Sequence, residues 1–138
     1  MKVSQKAEYA LRAMLELAIR YGSGQPIRSA EIAQRQQIPE KFLELILVDL
    51  RRAGLIGSQR GPIGGHRLAR DPREIAIGDI WRTIDGSSGD RPTGKTNDPF
   101  KVIWDDVDAA VSNVVDKITL DDVRRRAEQR QNVPDFSI

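Results

Sequence analysis

Residues 89–96 read GDRPTGKT, and Gly89, Gly94, Lys95 and Thr96 fill every fixed position of G-x-x-x-x-G-K-[ST]. In a phosphate-binding loop, backbone N–H groups and a helix dipole converge on ATP or GTP, the lysine reaches the outer phosphates and the hydroxyl binds magnesium. That chemistry needs a buried strand leading in and a helix at once afterwards. Here the helical pattern GDIWRTID leads in, a proline interrupts the loop, and the next helical pattern begins only near Asp98. VIWDD at 102–106 imitates the apolar strand and aspartate of a magnesium site but lies within that helical pattern. The context a nucleotide site needs is missing, and a nucleotide binder through Gly89–Thr96 is kept only as a remote alternative. Within it, Arg91 and Lys95 would hold an anion.

Other chemistries are excluded by residue type. The chain of 138 residues has no cysteine, so disulfides, thiolate zinc sites and thiolate-held iron–sulfur clusters are ruled out. Its single histidine, His66, cannot form a multi-histidine metal site within one chain. No nucleophile–base–orienter set is evident. The expectation is a protein that is not an enzyme and has no cofactor and no metal. No apolar run approaches the ~18 residues of a membrane span, and MKVSQKAEYALR lacks a signal-peptide core. A cytoplasmic protein is therefore expected.

Charge gives a direction. Residues 1–70 hold 12 Lys and Arg against 6 Asp and Glu, a net of +6, whereas residues 71–138 hold 10 against 14, a net of −4. A basic first half suits a polyanion, although ordinary charge scatter is the bland alternative.

The elements that must position these charges follow from periodicity. Residues 5–21 repeat apolar side chains at three and four, from Tyr9 and Ala10 to Tyr21, with Ser4 as cap. A short helix follows from Ser29, itself a plausible cap. Pro39 suits the first position of a third helix, EKFLELILVDLRRAG, with Phe42, Leu43, Ile46, Leu47 and Leu50 buried and Gly54 ending it in left-handed conformation. A short and a longer helix joined around 37–39 make a helix-turn-helix pattern, although any three-helix bundle resembles it. Leu55–Gln59 and His66–Ala69 then read as strands around a turn bearing Gly61, Pro62, Gly64 and Gly65, flanked by Arg60, Arg67 and Arg70. A hairpin directly after a recognition helix is a wing, whose arginine can enter a narrow minor groove. A surface hairpin with solvated arginines is the alternative.

At these residues the chain resembles a known family. KVSQKAEYALRAMLELA, IPEKFLELILVDLRRAGLI and SQRGPIGGHRLARD are similar to winged-helix regulators of the IscR/NsrR/CymR type. The likeness continues through EIAIGDIWRTIDG to ITLDDV, with a divergent stretch around 87–99. It implies a homodimeric transcription factor on a palindromic operator, with Glu44 and its neighbours in the major groove and Arg60 in the minor groove. Lys2, Ser4 and Lys6 would touch phosphates. Two departures stand out: Leu45 where the family often has Gln, and His66 where it often has an aromatic residue. Cluster-bearing relatives carry three cysteines in the region of 87–99, so this chain resembles the cluster-free CymR-type branch, which takes its signal through a partner protein.

The candidate DNA-binding residues are Lys2, Ser4, Lys6, Ser29, Glu40, Lys41, Glu44, Arg51, Arg60, Gly61, Gly64, Gly65 and His66. Glu44 can accept from a cytosine amino group or pair with Lys41 or Arg51. Lys2, Lys6, Arg51 and Arg52 would attract the backbone without reading sequence. His66 reads as a hairpin surface residue.

In the second half, Ile80, Trp81 and Ile84 share a face of a short helix. The fifteen residues 85–99 have no aliphatic or aromatic side chain and read as an exposed loop. From 100 to 118 an apolar stripe runs through Phe100, Ile103, Trp104, Val107, Val111, Val114 and Ile118. Such a stripe packs on a second copy or folds back on its own domain; a symmetric dimer is expected. Thr119-Leu-Asp-Asp122 reads as a capping box opening a last short helix, in which Arg124, Arg125 and Arg126 form a solvated face or a nucleic-acid patch. The fold expected is mainly α with a small β-hairpin. It comprises a winged helix-turn-helix domain (1–85), a polar loop (86–99), and a dimerisation helix with short helix and tail (100–138). The reading is a DNA-binding regulator, most simply a repressor, and a protein-interaction module that lost operator recognition is the alternative, motivated by Leu45.

Overall fold

Six helices and one antiparallel hairpin make up the described residues, 2–62, 64–86 and 98–132, of a computed structural model. The GDRPTGKT loop and the tail from 133 lie outside them.

Helix α1 (Gln5–Tyr21) begins where Ser4 accepts a hydrogen bond from the Ala7 amide at 3.0 Å. It buries Ala7, Ala10, Ala13, Met14, Leu17 and Ala18. The small alanines let neighbouring helices approach closely, and α1 is the element on which most others pack. Tyr21, expected on the apolar face, is exposed at the helix end.

Helix α2 (Ser29–Gln36) is capped differently from expectation. Arg28 stands at the N-cap with extended backbone, and Ser29 is the first helical residue. Gln37 ends α2 at φ 55, the only non-glycine residue with positive φ among those described. Pro39 is the N-cap of α3 (Glu40–Arg52), one position earlier than expected. Leu43, Ile46, Leu47 and Leu50 are buried, and Gly54 at φ 76 follows the helix end. Phe42 is half-buried, edge-on to Tyr9 at 5.6 Å.

Strands β1 (Ile56–Gln59) and β2 (Gly65–Leu68) pair in register, Ile56 opposite Leu68 and Gln59 opposite Gly65. Ile27 adds a third rung, its amide donating to the His66 carbonyl at 2.9 Å and its carbonyl accepting from the His66 amide at 2.7 Å. The segment before α2 is thus locked to the hairpin. A 3-10 turn at Pro72–Glu74 leads to α4 (Ile77–Asp85), which buries Ile80 and half-buries Trp81 and Ile84.

Helix α5 (Pro99–Val115), capped by Asp98, has no buried residue. Its far end is fixed by an ion pair and a backbone bridge. Arg82 donates to both oxygens of Asp116 at 2.7 and 2.8 Å, and Ala76 bridges Thr119. That bridge consists of the Leu120 amide donating to the Ile75 carbonyl at 2.8 Å and the Ile77 amide donating to the Ile118 carbonyl at 2.9 Å. The capping box forms in both directions, Thr119 N–H to Asp122 at 2.9 Å and Asp122 N–H to Thr119 Oγ1 at 3.0 Å. It opens α6 (Leu120–Asn132), which buries Leu120 and lies against α1 and the 3-10 turn. Arg124 and Arg125 form ion pairs with neighbouring carboxylates of α6. Among the described residues no helix is long and apolar enough to cross a membrane.

Candidate nucleic-acid interface

Four buried side chains fix the orientation of α3, and so decide which of its residues face outward. With Leu43, Ile46, Leu47 and Leu50 in the core, Glu40, Lys41, Glu44, Leu45, Arg51 and Arg52 are exposed. Glu44 pairs with neither of its expected cations. It accepts a hydrogen bond from Ser29 Oγ at 2.7 Å, and Arg51 donates to Ser58 of β1 at 3.0 Å. Ser29 therefore acts across the two helices and holds the carboxylate that faces outward from α3. Leu45 beside it is 62% exposed, a large apolar side chain facing solvent.

The wing is joined to this face. Arg60 and Gly61, the latter at φ 102, are exposed at the hairpin's turn. The glycine pair has an internal reason: a Cβ on Gly65 would lie 2.6 Å from the Ile27 carbonyl oxygen, and one on Gly64 would strike the Gln59 carbonyl. The hairpin can press against the strand at Ile27 only where no side chain intervenes. Arg67 hydrogen-bonds Gln59 across the hairpin.

His66 is half-buried, not a free surface residue as expected, and its Nδ1 is buried with no hydrogen-bond partner. Burial pushes its pKa down, the Glu44 carboxylate opposes this, and Arg51 reinforces it. The ring therefore sits within the electrostatic reach of α3.

The expected phosphate contacts fall into two groups. Lys2 is exposed, but Lys6 is half-buried and paired with Asp49 of α3 at 2.8 Å. Ser4 is drawn inward: its amide donates to Asp85 at 3.0 Å, and its hydroxyl also bonds that carboxylate. Burial pushes the Asp85 pKa up, but hydrogen bonds from Ser4 and Trp81 outweigh it and hold the carboxyl below its usual value. Beneath the surface, the nearly buried Glu16 of α1 receives Arg35 at 3.1 Å and Gln36 at 2.7 Å, which ties α2 to α1. Sequence reasoning passed over Arg28 and Ser58. Nothing in their local pattern distinguishes them from solvated residues, since their partners lie on other elements.

A helix-turn-helix whose second helix turns a polar face outward, followed by an arginine-bearing hairpin joined to that helix, defines a winged-helix DNA-binding protein. The model of the Rrf2 family, described as iron-dependent transcriptional regulators, matches residues 3–126. The chain belongs to the Rrf2 family of transcriptional regulators. It is 36% identical to the transcriptional regulator CymR of Bacillus subtilis over 139 residues, covering 100% of both chains. It is 34% identical to IscR of Aliivibrio salmonicida, covering 96% of this chain and 86% of that one. Among solved structures, T. potens IscR superposes with a TM-score of 0.85 at 38% identity, covering 99% of this chain and 95% of that one. The structure of CymR, the global cysteine regulator of B. subtilis, gives 0.83 at 35% identity, covering 91% and 98%. These relatives are transcriptional regulators, and the chain is a regulator and not an enzyme.

Proposed function

We propose that the chain acts in the cytoplasm as a homodimer that represses transcription at a palindromic operator, without an iron–sulfur cluster. The observation that carries this reading is the outward face of α3 joined to the Arg60 wing by the Arg51–Ser58 hydrogen bond, with Ser29 holding Glu44 on that face. One protomer then reads a major groove with α3 and the adjacent minor groove with the wing. Glu44 accepts from a cytosine amino group and Leu45 packs on a thymine methyl. Phe100, Ile103, Trp104, Val107, Val111, Val114 and Ile118 face a second copy, and two half-sites about one helical turn or more apart are read together. The absence of cysteine supports regulation through a small ligand or a partner protein at the α5 helices.

Selection of bound fragments from genomic DNA tests the reading: one palindrome should be enriched, and no enrichment at low salt would sink it. Binding should weaken steeply with salt, because phosphate contacts release counterions. Arg60→Ala should cost ~1–3 kcal/mol of operator affinity by mobility shift, with discrimination lost at one minor-groove step. Iron and labile sulfide near one per chain in protein purified without oxygen would overturn the cluster-free part. The exposed Leu45 favours one second reading, a protein-interaction module of the same fold, and the same selection separates the two.

A further inference from the structure

Arg28 reaches from the start of the helix-turn-helix to the tip of the wing. Its guanidinium donates to the Pro62 carbonyl at 2.6 Å and to the Gly61 carbonyl at 3.5 Å. Its backbone is a fixed base for that reach: Ile27 is bonded both ways to His66, and Arg28 itself is the extended N-cap of α2. The Gly61 carbonyl also accepts from the Gly64 amide at 2.9 Å, so the turn's carbonyls converge on one cation and one amide. The next residue, Ser29, holds Glu44. Adjacent residues thus touch the two elements that would read DNA, the wing through Arg28 and α3 through Ser29.

We propose that Arg28 is the positioning residue of the wing: it grips the hairpin tip by its carbonyls and so sets where Arg60 stands relative to Glu44. The inference rests on the DNA-reading role proposed above. A two-stranded hairpin alone is a weak structure, and its tip is the part farthest from the core. One guanidinium nitrogen, Nη2, serves both carbonyls, so a single charged donor group carries the grip.

A double-mutant cycle on the full chain, with the operator fragment from genomic selection, tests the proposal. Arg28→Met, which keeps the apolar stem and removes the donors, should weaken binding roughly 3- to 10-fold. Arg60→Ala should weaken it roughly 5- to 150-fold. The double variant should bind no more weakly than Arg60→Ala, because a wing without its arginine has nothing left to position. Multiplying effects, with a salt slope lowered by about 0.9 in Arg28→Met, would make Arg28 an independent phosphate contact and overturn the proposal. Hydrogen exchange on the free protein gives a readout without DNA. The Gly64 and His66 amides should exchange several-fold faster in Arg28→Met while amides of α1 stay unchanged. Unchanged exchange at both would overturn the clamp. If the wild-type chain binds no operator, the proposed function fails, and the exchange result alone decides the clamp.

Discussion

Single atoms decide two matters at this interface. His66 Nδ1 is buried without a partner on a strand that the Ile27 rung pairs and that packs against α1, a long-range arrangement that no local pattern announces. The folded pKa of the ring lies below 6.5. As pH falls from about 6.5, the unfolded chain takes up the proton first, so stability declines until the lower folded pKa is passed. His66→Phe removes both the orphan atom and the titration. It should gain about 1 kcal/mol at pH 6, and its urea-unfolding free energy should depend less on pH between 5 and 7 than that of the wild type. Equal pH dependence in the two proteins would refute the assignment. Glu44 presents the other case. The sequence offered it a cytosine, Lys41 or Arg51, and the structure adds Ser29, which was expected to cap a helix. Ser29→Ala should leave stability within about 0.5 kcal/mol, since the bond is exposed. It should compress the preference for the base that Glu44 is proposed to read by about 1 kcal/mol, measured by competition among half-sites differing at one position. Unchanged preference would mean that the carboxylate needs no support.

Elements were legible where their signals are local. The first turn of α1 follows from Ser4, the end of α3 from Gly54, and the opening of α6 from Thr119 and Asp122, all within four residues of the feature they set. What escaped depends on contacts made across the chain. Arg28 takes the N-cap of α2 because the Ile27 rung fixes the backbone there. The landing of α6 on α1 rests on Leu120 and the Ala76–Thr119 bridge, which join segments more than forty residues apart in sequence. The turn between α2 and α3 offers a direct test. Gln37 holds φ 55, a conformation costly for a residue with a Cβ, while its amide bonds Ala33 and keeps the turn tight. Gln37→Gly should therefore raise stability by roughly 0.5–1 kcal/mol, read as a shifted denaturant midpoint at constant slope. Operator affinity should be unchanged, because the turn geometry is retained. A destabilised variant would show that Gln37 makes contacts worth more than its strain.

At the scale of the molecule, α5 is the element that the core does not explain. Seventeen residues long and with none buried, it carries Phe100 at 62% and Ile103 at 50% exposure, yet its end is locked by Arg82, Asp116 and the Ala76–Thr119 bridge. An anchored helix with an apolar stripe directed away from its own domain is built to meet a second surface, and the proposed one is its own copy. The rigid anchorage matters as much as the stripe, since two wings can be held at a fixed spacing only if each α5 is fixed to its own winged helix. Ile103→Glu separates these roles. It places a charge in the proposed seam while touching nothing in the core, so the thermal stability of the winged domain should stay within about 0.5 kcal/mol. Sedimentation should show a dimer for the wild type and a monomer for the variant. Affinity for the full palindrome should fall by 10²-fold or more, because the second half-site is no longer supplied at millimolar effective concentration. Affinity for an isolated half-site should not change. A variant that stays dimeric with full affinity would move the interface away from α5, whereas a monomeric variant that also loses half-site binding would mean that α5 supports the winged helix itself.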